Sequence, residues 1–99
     1  MLVLIGFVSM TRGAHLVGGY PLLLGASERQ CLDICMMTSY CLAVDYDASQ
    51  RVCYVHGTTS YCGGLFTAAS VNHYQRVPCV YGAWNAAILM EIYQSVSHQ

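Results

Sequence analysis

Ninety-nine residues make one small domain, and a chain of this length buries only about 60–65% of the surface its unfolded form exposes, so cross-links are worth having. Hydrophobic residues make up 56% of it, while the charges are four arginines and five acids, for a formal net charge of −1. Four cations cannot build the basic face that a phosphate backbone requires, which excludes nucleic-acid binding; the apolar content is ample for a core, which excludes disorder.

The longest strongly apolar run opens the chain as "MLVLIGFV", residues 1–8. It is far short of the ~20 residues that a bilayer-crossing helix needs, so no membrane span is expected. It resembles the apolar centre of a secretory signal, yet no Lys or Arg precedes it. We read it as a buried strand of the mature fold bounded by Ser9, with the secretory signal upstream and already removed. In "HLVGGYPLLLG", Gly18, Gly19 and Pro21 mark a bend between two short extended pieces.

Ser27 followed by Gln30 fits a capping box, in which the serine oxygen accepts from an orphan amide and the glutamine reaches back. A helix is therefore expected from about Glu28 to Met37. Cys31 and Cys35 lie one turn apart and share a face with Ile34, while Arg29 and Asp33 point to solvent. After Tyr40 the period changes to two. Leu42, Val44 and Tyr46 share one face of a strand, and Cys41, Ala43 and Asp45 the other. "DASQ" turns the chain and "RVCYVH" returns it, giving a hairpin of residues 41–47 and 51–56.

Residues 57–70 are rich in Gly, Ser and Thr and read as loop; "VNHYQRV" reads as a further short strand ending at Pro78. "AAILMEIYQSV" aligns Trp84, Ile88, Ile92 and Val96 as a helix, but alternates Ile88, Met90 and Ile92 against Leu89, Glu91 and Tyr93 as a strand. We favour the strand, as a partner for residues 1–8. No repeat, charge block or linker divides residues 1–99, which are read as a single domain.

Six cysteines are an even count, and their gaps are three, five, eleven, eight and sixteen residues. Zinc sites pair two Cys-x2-4-Cys knuckles on one ion. Cys31 and Cys35 offer one knuckle and the second is missing. A thioredoxin-like centre wants Cys-x-x-Cys at a helix start, which is absent. The spacing points instead to a disulfide framework in an oxidising compartment, with no metal and no cofactor expected.

"ERQCLDICMMTSYCLAVDYDASQRVCYV" resembles the core of the PAN/apple domain family, the module of the plasminogen N-terminus and the plasma prekallikrein repeats. That family has a helix with two cysteines one turn apart, a third cysteine soon after, an aromatic-rich strand, and a fourth cysteine in the returning strand. Cys31, Cys35, Cys41 and Cys53 match it in order and spacing, and "LVGGY" at residues 16–20 resembles the segment before the family's helix. The resemblance implies an α+β fold, one helix packed on an antiparallel sheet, with the bonds Cys31–Cys53 and Cys35–Cys41. Apple domains add a bond from a cysteine near their start to one near their end. This sequence has no cysteine before Cys31, so Cys62 and Cys79 are paired with each other by elimination.

The resemblance further implies a secreted or extracellular, non-enzymatic module that recognises protein or carbohydrate. Nothing in the sequence sets His15, His56, His73 or His98 beside a nucleophile in a known catalytic spacing, and no catalytic residue is assigned. Asp45 and Asp47 flank Tyr46 and raise the thought of calcium, but two carboxylates without further oxygen ligands read as a solvated strand edge. The eight tyrosines are divided evenly between core packing and a binding surface, where an amphipathic ring gives contact area at low entropic cost. The other reading is a structural subunit that assembles with itself into an oligomer or filament, through the apolar segments "MLVLIGFV" and "AWNAAILMEIY".

Overall fold

The computed structural model describes residues 6–79. Its elements in chain order are β1 (Ser9–Leu16), β2 (Tyr20–Leu24), α1 (Glu28–Met36), β3 (Ala43–Asp47), β4 (Val52–His56) and β5 (Leu65–Gln75). The five strands form one sheet in the order β1-β5-β3-β4-β2, antiparallel throughout, with the helix on one face. The fold is α+β, one helix on an antiparallel sheet, as the sequence indicates.

The helix starts where its cap dictates. The Gln30 amide donates to Ser27 Oγ at 3.1 Å, and the Ser27 amide donates to Gln30 Oε1 at 2.9 Å. Cys31, Leu32 and Cys35 are its buried residues, and Arg29 and Asp33 form an exposed pair at 3.2 Å. Disulfides join Cys31 to Cys53 on β4 and Cys35 to Cys41 just ahead of β3. Around them Val44, Tyr46, Val55, Tyr74 and Phe7 close the larger hydrophobic cluster. The Tyr46 hydroxyl donates to the Ala26 carbonyl at 2.6 Å, and the Tyr74 hydroxyl donates to Glu28 in the first turn of α1.

The other end of the helix is held by Arg76, which follows β5. One guanidinium nitrogen donates to the carbonyls of Cys35, Thr38 and Cys41 at 2.8, 3.1 and 3.2 Å. The Cys35 and Thr38 carbonyls sit at the C-terminal end of α1, the negative end of its dipole, and Cys41 lies in the segment that leads on to β3. Burial lowers the pKa of this arginine from its ordinary value.

In the β3–β4 turn the Ser49 amide donates to Asp47 Oδ1 at 3.0 Å, and Arg51 takes a left-handed φ of 57°. The hairpin itself pairs Ala43 with His56 and Asp47 with Val52.

Three readings are corrected. Residues 65–70 are not loop but the first half of β5, held by backbone pairing of Leu65, Phe66 and Thr67 with Leu16, His15 and Ala14. That half is largely exposed, so it carries no alternating apolar signal. Within residues 1–8, Gly6 lies in a turn, Phe7 packs edge-on against Tyr74, Val8 is exposed, and the strand begins only at Ser9. Residues 1–5, and the proposed strand of residues 86–96, lie outside the described residues. Pro21 sits inside β2, opposite Tyr54, and the bend is made by Val17 to Gly19 ahead of it. β1 has an irregularity of its own between Arg12 and Ala14, where Gly13 takes a φ of 69° and its amide meets Asn72 Oδ1. Among the described residues no helix is long and apolar enough to cross a membrane.

Candidate ligand-binding face

Side chains alternate across a strand, so the face of β3 and β4 away from the helix carries Asp45, Asp47, Tyr54 and His56. β5 adds Val71, His73 and Gln75. Asp45 lies on the central strand, 2% exposed, rather than on a solvated edge as its sequence context suggests. The correction has a physical cause. The segment Leu16–Gly19 and the side chain of Tyr61 fold over this face and cover it.

The side chains of Asp45, His56, His73 and Gln75 beneath that cover find partners among their neighbours, whereas the buried Tyr61 hydroxyl meets none among the described residues. His56 Nε2 donates to Asp45 Oδ2 at 2.7 Å, and the Leu16 amide donates to the same oxygen at 3.0 Å. His56 Nδ1 faces the Ser60 hydroxyl at 3.3 Å. On the other side His73 Nδ1 meets Asp45 Oδ1 at 2.7 Å. Gln75 Nε2 donates to the carbonyls of Tyr61 and Val77, both at 2.9 Å, which leaves its Oε1 to accept from His73 Nε2 at 2.6 Å. Burial pushes the Asp45 carboxyl up, but the hydrogen bonds from His56, His73 and the Leu16 amide outweigh it and hold the group below the usual carboxylate range. Because its oxygens are already engaged by these groups, Asp45 is not presented to a cation.

The network fixes the cover as well as the floor. Leu16 hangs on Asp45 through its amide, and Gly19 lies directly over His56, where a Cβ would sit 2.7 Å from the ring. Only glycine allows that approach. Leu16 to Gly19 then form one wall of a cleft of about 460 Å³, floored by Tyr54, Asp47 and Val71 and flanked by His15, Ala68 and Ser70. Asp47 is half-buried there. Burial pushes its carboxyl up, while the Ser49 and Ser70 hydroxyls and the amides of Ser49 and Gln50 pull it lower still, below the ordinary range. Such a volume, half apolar and half polar, is the size and character of a small-ligand site.

The tyrosines fall into both roles. Tyr46, Tyr61 and Tyr74 are buried; Tyr54 lines the cleft; Tyr20 and Tyr40 are exposed and stack on each other with centroids 6.4 Å apart. A hydrogen bond with the Tyr40 phenol, aided by burial, pushes the Tyr20 phenol up to about 12. Tyr81, Tyr93 and His98 lie outside the described residues. Cys62 and Cys79 are joined at the exposed border of the covered face, and all six cysteines are in disulfides. No metal cluster accompanies the cleft among the described residues. Sequence reasoning missed the Asp45–His56–His73–Gln75 network. The signal available was parity: Asp45 lies opposite His73 on one side, with Tyr54 opposite on the other, and polar residues recur at inward positions of three strands.

A helix stapled to one face of a five-stranded sheet, with an open cleft on the other, defines a small disulfide-stabilised α+β module. A family model of the PAN domain matches residues 9–81, and the chain belongs to that family. PAN domains are generally protein- or carbohydrate-binding modules of extracellular proteins, typically non-catalytic. No curated protein and no solved structure matches the chain.

Proposed function

We propose that residues 1–99 form a single secreted, non-enzymatic recognition domain that engages a protein or glycan ligand, with its cysteines paired as Cys31–Cys53, Cys35–Cys41 and Cys62–Cys79. The observation that carries the reading is the cleft between Leu16–Gly19 and Tyr54, open to solvent and backed by the hydrogen-bonded Asp45–His56–His73 network. The stapled helix supplies stability from the opposite face and leaves this one free for a partner. The test is binding of the intact chain to a printed array of neutral and acidic glycans and extracellular-matrix proteins, beside a Tyr54→Ala variant. Binding lost in the variant supports the cleft as the site; binding unchanged by it, or no binding at all, argues against it.

Self-assembly is a second reading, favoured by composition: 56% hydrophobic residues and a net charge of −1 leave little electrostatic repulsion between copies. Sedimentation of the chain at micromolar concentration separates the two. A single monomeric species discards the subunit reading and leaves recognition of a separate ligand.

A further inference from the structure

His73 is buried, and both of its ring nitrogens face acceptors. Nδ1 lies 2.7 Å from Asp45 Oδ1, and Nε2 lies 2.6 Å from Gln75 Oε1. Turning the Gln75 amide over does not relieve the second contact. Its Nε2 is surrounded by three groups that only accept: the carbonyls of Tyr61 and Val77, both at 2.9 Å, and the disulfide sulfur of Cys79 at 3.2 Å. A turned amide would set an oxygen against all three. A neutral imidazole carries one N–H and one lone pair. With a single hydrogen, His73 would therefore press a lone pair against either Asp45 or Gln75.

His56 makes no such demand. Its Nε2 donates to Asp45 Oδ2, but its Nδ1 faces the Ser60 hydroxyl, which can donate to a lone pair. One hydrogen satisfies it. The two rings, with centroids 6.3 Å apart, share one carboxylate and differ in what they carry. Charge points the same way. With both imidazoles neutral, the ionised Asp45 leaves the buried network net negative; a second hydrogen on His73 makes it neutral, and burying an uncompensated charge is strongly unfavourable. Among the described residues no other charged side chain faces His73. On β1 the uncharged Thr11 lies opposite, while Arg12 lies toward Tyr74 and Arg76 toward α1. The cavity beside His73 is lined by Thr11, Leu16, Tyr61 and Gln75 among others, with no carboxylate and no arginine.

We infer that His73 holds a hydrogen on both ring nitrogens in the folded domain, a buried imidazolium paired with Asp45, and that this second hydrogen latches Tyr61 and Val77 over the sheet through Gln75. The Asp45 carboxyl is held below the usual range, so the hydrogen sits on the ring rather than on the carboxylate. Gln75 is the link. The imidazolium fixes its oxygen and thereby aims its nitrogen at the two carbonyls, which lie next to the Cys62–Cys79 bond. Loss of the hydrogen sets a lone pair against the Gln75 oxygen, frees the amide to turn, and releases both carbonyls. The closed latch holds one hydrogen more than the open one, so opening is favoured as pH rises and closing as it falls. The latch concerns the cover and stands whichever ligand the domain recognises.

The experiment is a long-range proton–nitrogen correlation spectrum of the histidine rings in the intact, disulfide-bonded chain at pH 7, in which N–H and lone-pair nitrogens give well-separated signals. His73 is expected to show two N–H nitrogens, and His56 one of each kind. A lone-pair nitrogen in His73 overturns the inference. Raising the same sample to pH 10 should bring out a lone-pair signal from His73 together with a shift of the Gln75 side-chain amide. The Tyr61 amide, bonded to the Gly57 carbonyl, should then exchange at least about tenfold faster after correction for the intrinsic pH dependence, the scale of one lost hydrogen bond. A ring that gives up its hydrogen while Gln75 and Tyr61 stay unchanged overturns the latch. Gln75→Leu removes the second acceptor, so His73 should show a lone-pair nitrogen already at pH 7, with Tyr61 exchanging fast. Two N–H nitrogens in that variant overturn the role given to Gln75. The spectrum of the native chain decides the hydrogen count even if the variant does not fold.

Discussion

On the helix side of the sheet, Val44, Tyr46, Cys53 and Val55 meet α1 through hydrocarbon and sulfur; on the other side Asp45, His56, His73 and Gln75 meet one another through hydrogen bonds. The first layer is non-directional and tolerates small shifts, because apolar burial depends on area rather than angle. The second is directional. The donors of His56, His73 and Gln75 each have a designated acceptor, and the loop segment Leu16–Gly19 is placed to within a hydrogen bond. A small domain thus divides its work: the stapled layer supplies stability, and the polar layer supplies shape to the cleft wall.

The largest test compares disulfides across that division. Cys31–Cys53 spans 22 residues and Cys62–Cys79 spans 17, so their loop-closure contributions differ by only about 0.2 kcal/mol. Their surroundings differ far more, since Cys31 and Cys53 are buried within the main cluster while Cys62 and Cys79 are exposed. Replacing both members of the first bond with serine should cost about 5 kcal/mol, against about 3 for the second. Denaturant unfolding of the two variants measures it. Equal losses would mean that packing around the sulfur adds nothing, and that the two faces are alike.

Arg76 offers the next largest effect, within the stapled layer. Arg76→Ala removes three charge-assisted hydrogen bonds, to the Cys41 carbonyl and to the Cys35 and Thr38 carbonyls that otherwise accept only from backbone amides, and a loss of about 3 kcal/mol is expected. Arg76→Lys keeps a donor and should recover part of it. Amides of residues 35–41 should exchange faster in the alanine variant, while those of residues 15–19 stay unchanged. Faster exchange in both places would show that the layers are not independent.

Asp45 probes the polar layer. Asp45→Asn keeps the size but places an amide nitrogen or oxygen against partners selected for a carboxylate, at a cost of about 2 kcal/mol. Its distinguishing readout is the Leu16 amide, whose protection from exchange should fall together with the shape of the cleft wall. The same carboxylate predicts the pH profile. Asp45 and Asp47 titrate below the ordinary range when folded, so the unfolded chain takes up their protons first. Their stabilisation is complete above about pH 3.9, the unfolded value, and is lost as pH falls toward the folded values. The phenols of Tyr61, raised by burial, and Tyr74, raised by burial and then Glu28, act in the opposite range: their contribution is whole below about pH 10 and is lost as pH rises beyond it. Thermal melts from pH 2 to 11 should therefore give a plateau with two shoulders, and Asp45→Asn should flatten the acid one.

The stapled layer was legible from the sequence to within a residue or two, because its signals are local. Ser27 and Gln30 mark a helix start by their spacing, and "CLAVDYDASQRVC" marks a hairpin by its period and turn. β1 was hidden because Arg12 and Gly13 break its alternation at the irregularity, and the first half of β5 because backbone pairing with β1, not burial, holds it. The polar layer was half legible. Period two puts Asp45 on the face away from Tyr46, but nothing local reveals that Leu16, 29 residues earlier, covers it and donates to it. A carboxylate facing solvent and one facing a lid have the same neighbours in sequence. Only the long-range partner distinguishes them.

The smallest effect sharpens the comparison from the other direction. Ser27 is the N-cap of α1, with its side chain accepting from the Gln30 amide and its own amide held by the Gln30 side chain. Ser27→Ala removes the first bond and leaves the second, and should cost about 1 kcal/mol. The loss stays small because Cys31 and Cys35 anchor the next turns covalently, so the helix frays at Ser27 without leaving the sheet. Ser27→Asp should restore stability, since a carboxylate both caps the Gln30 amide and complements the dipole. Neither variant touches the residues that shape the cleft, which lie across the sheet. Ligand affinity in both should match the parent chain while the melting temperature moves. A cap variant that altered affinity would join the two faces into one cooperative unit, and the separation of stability from recognition would have to be given up.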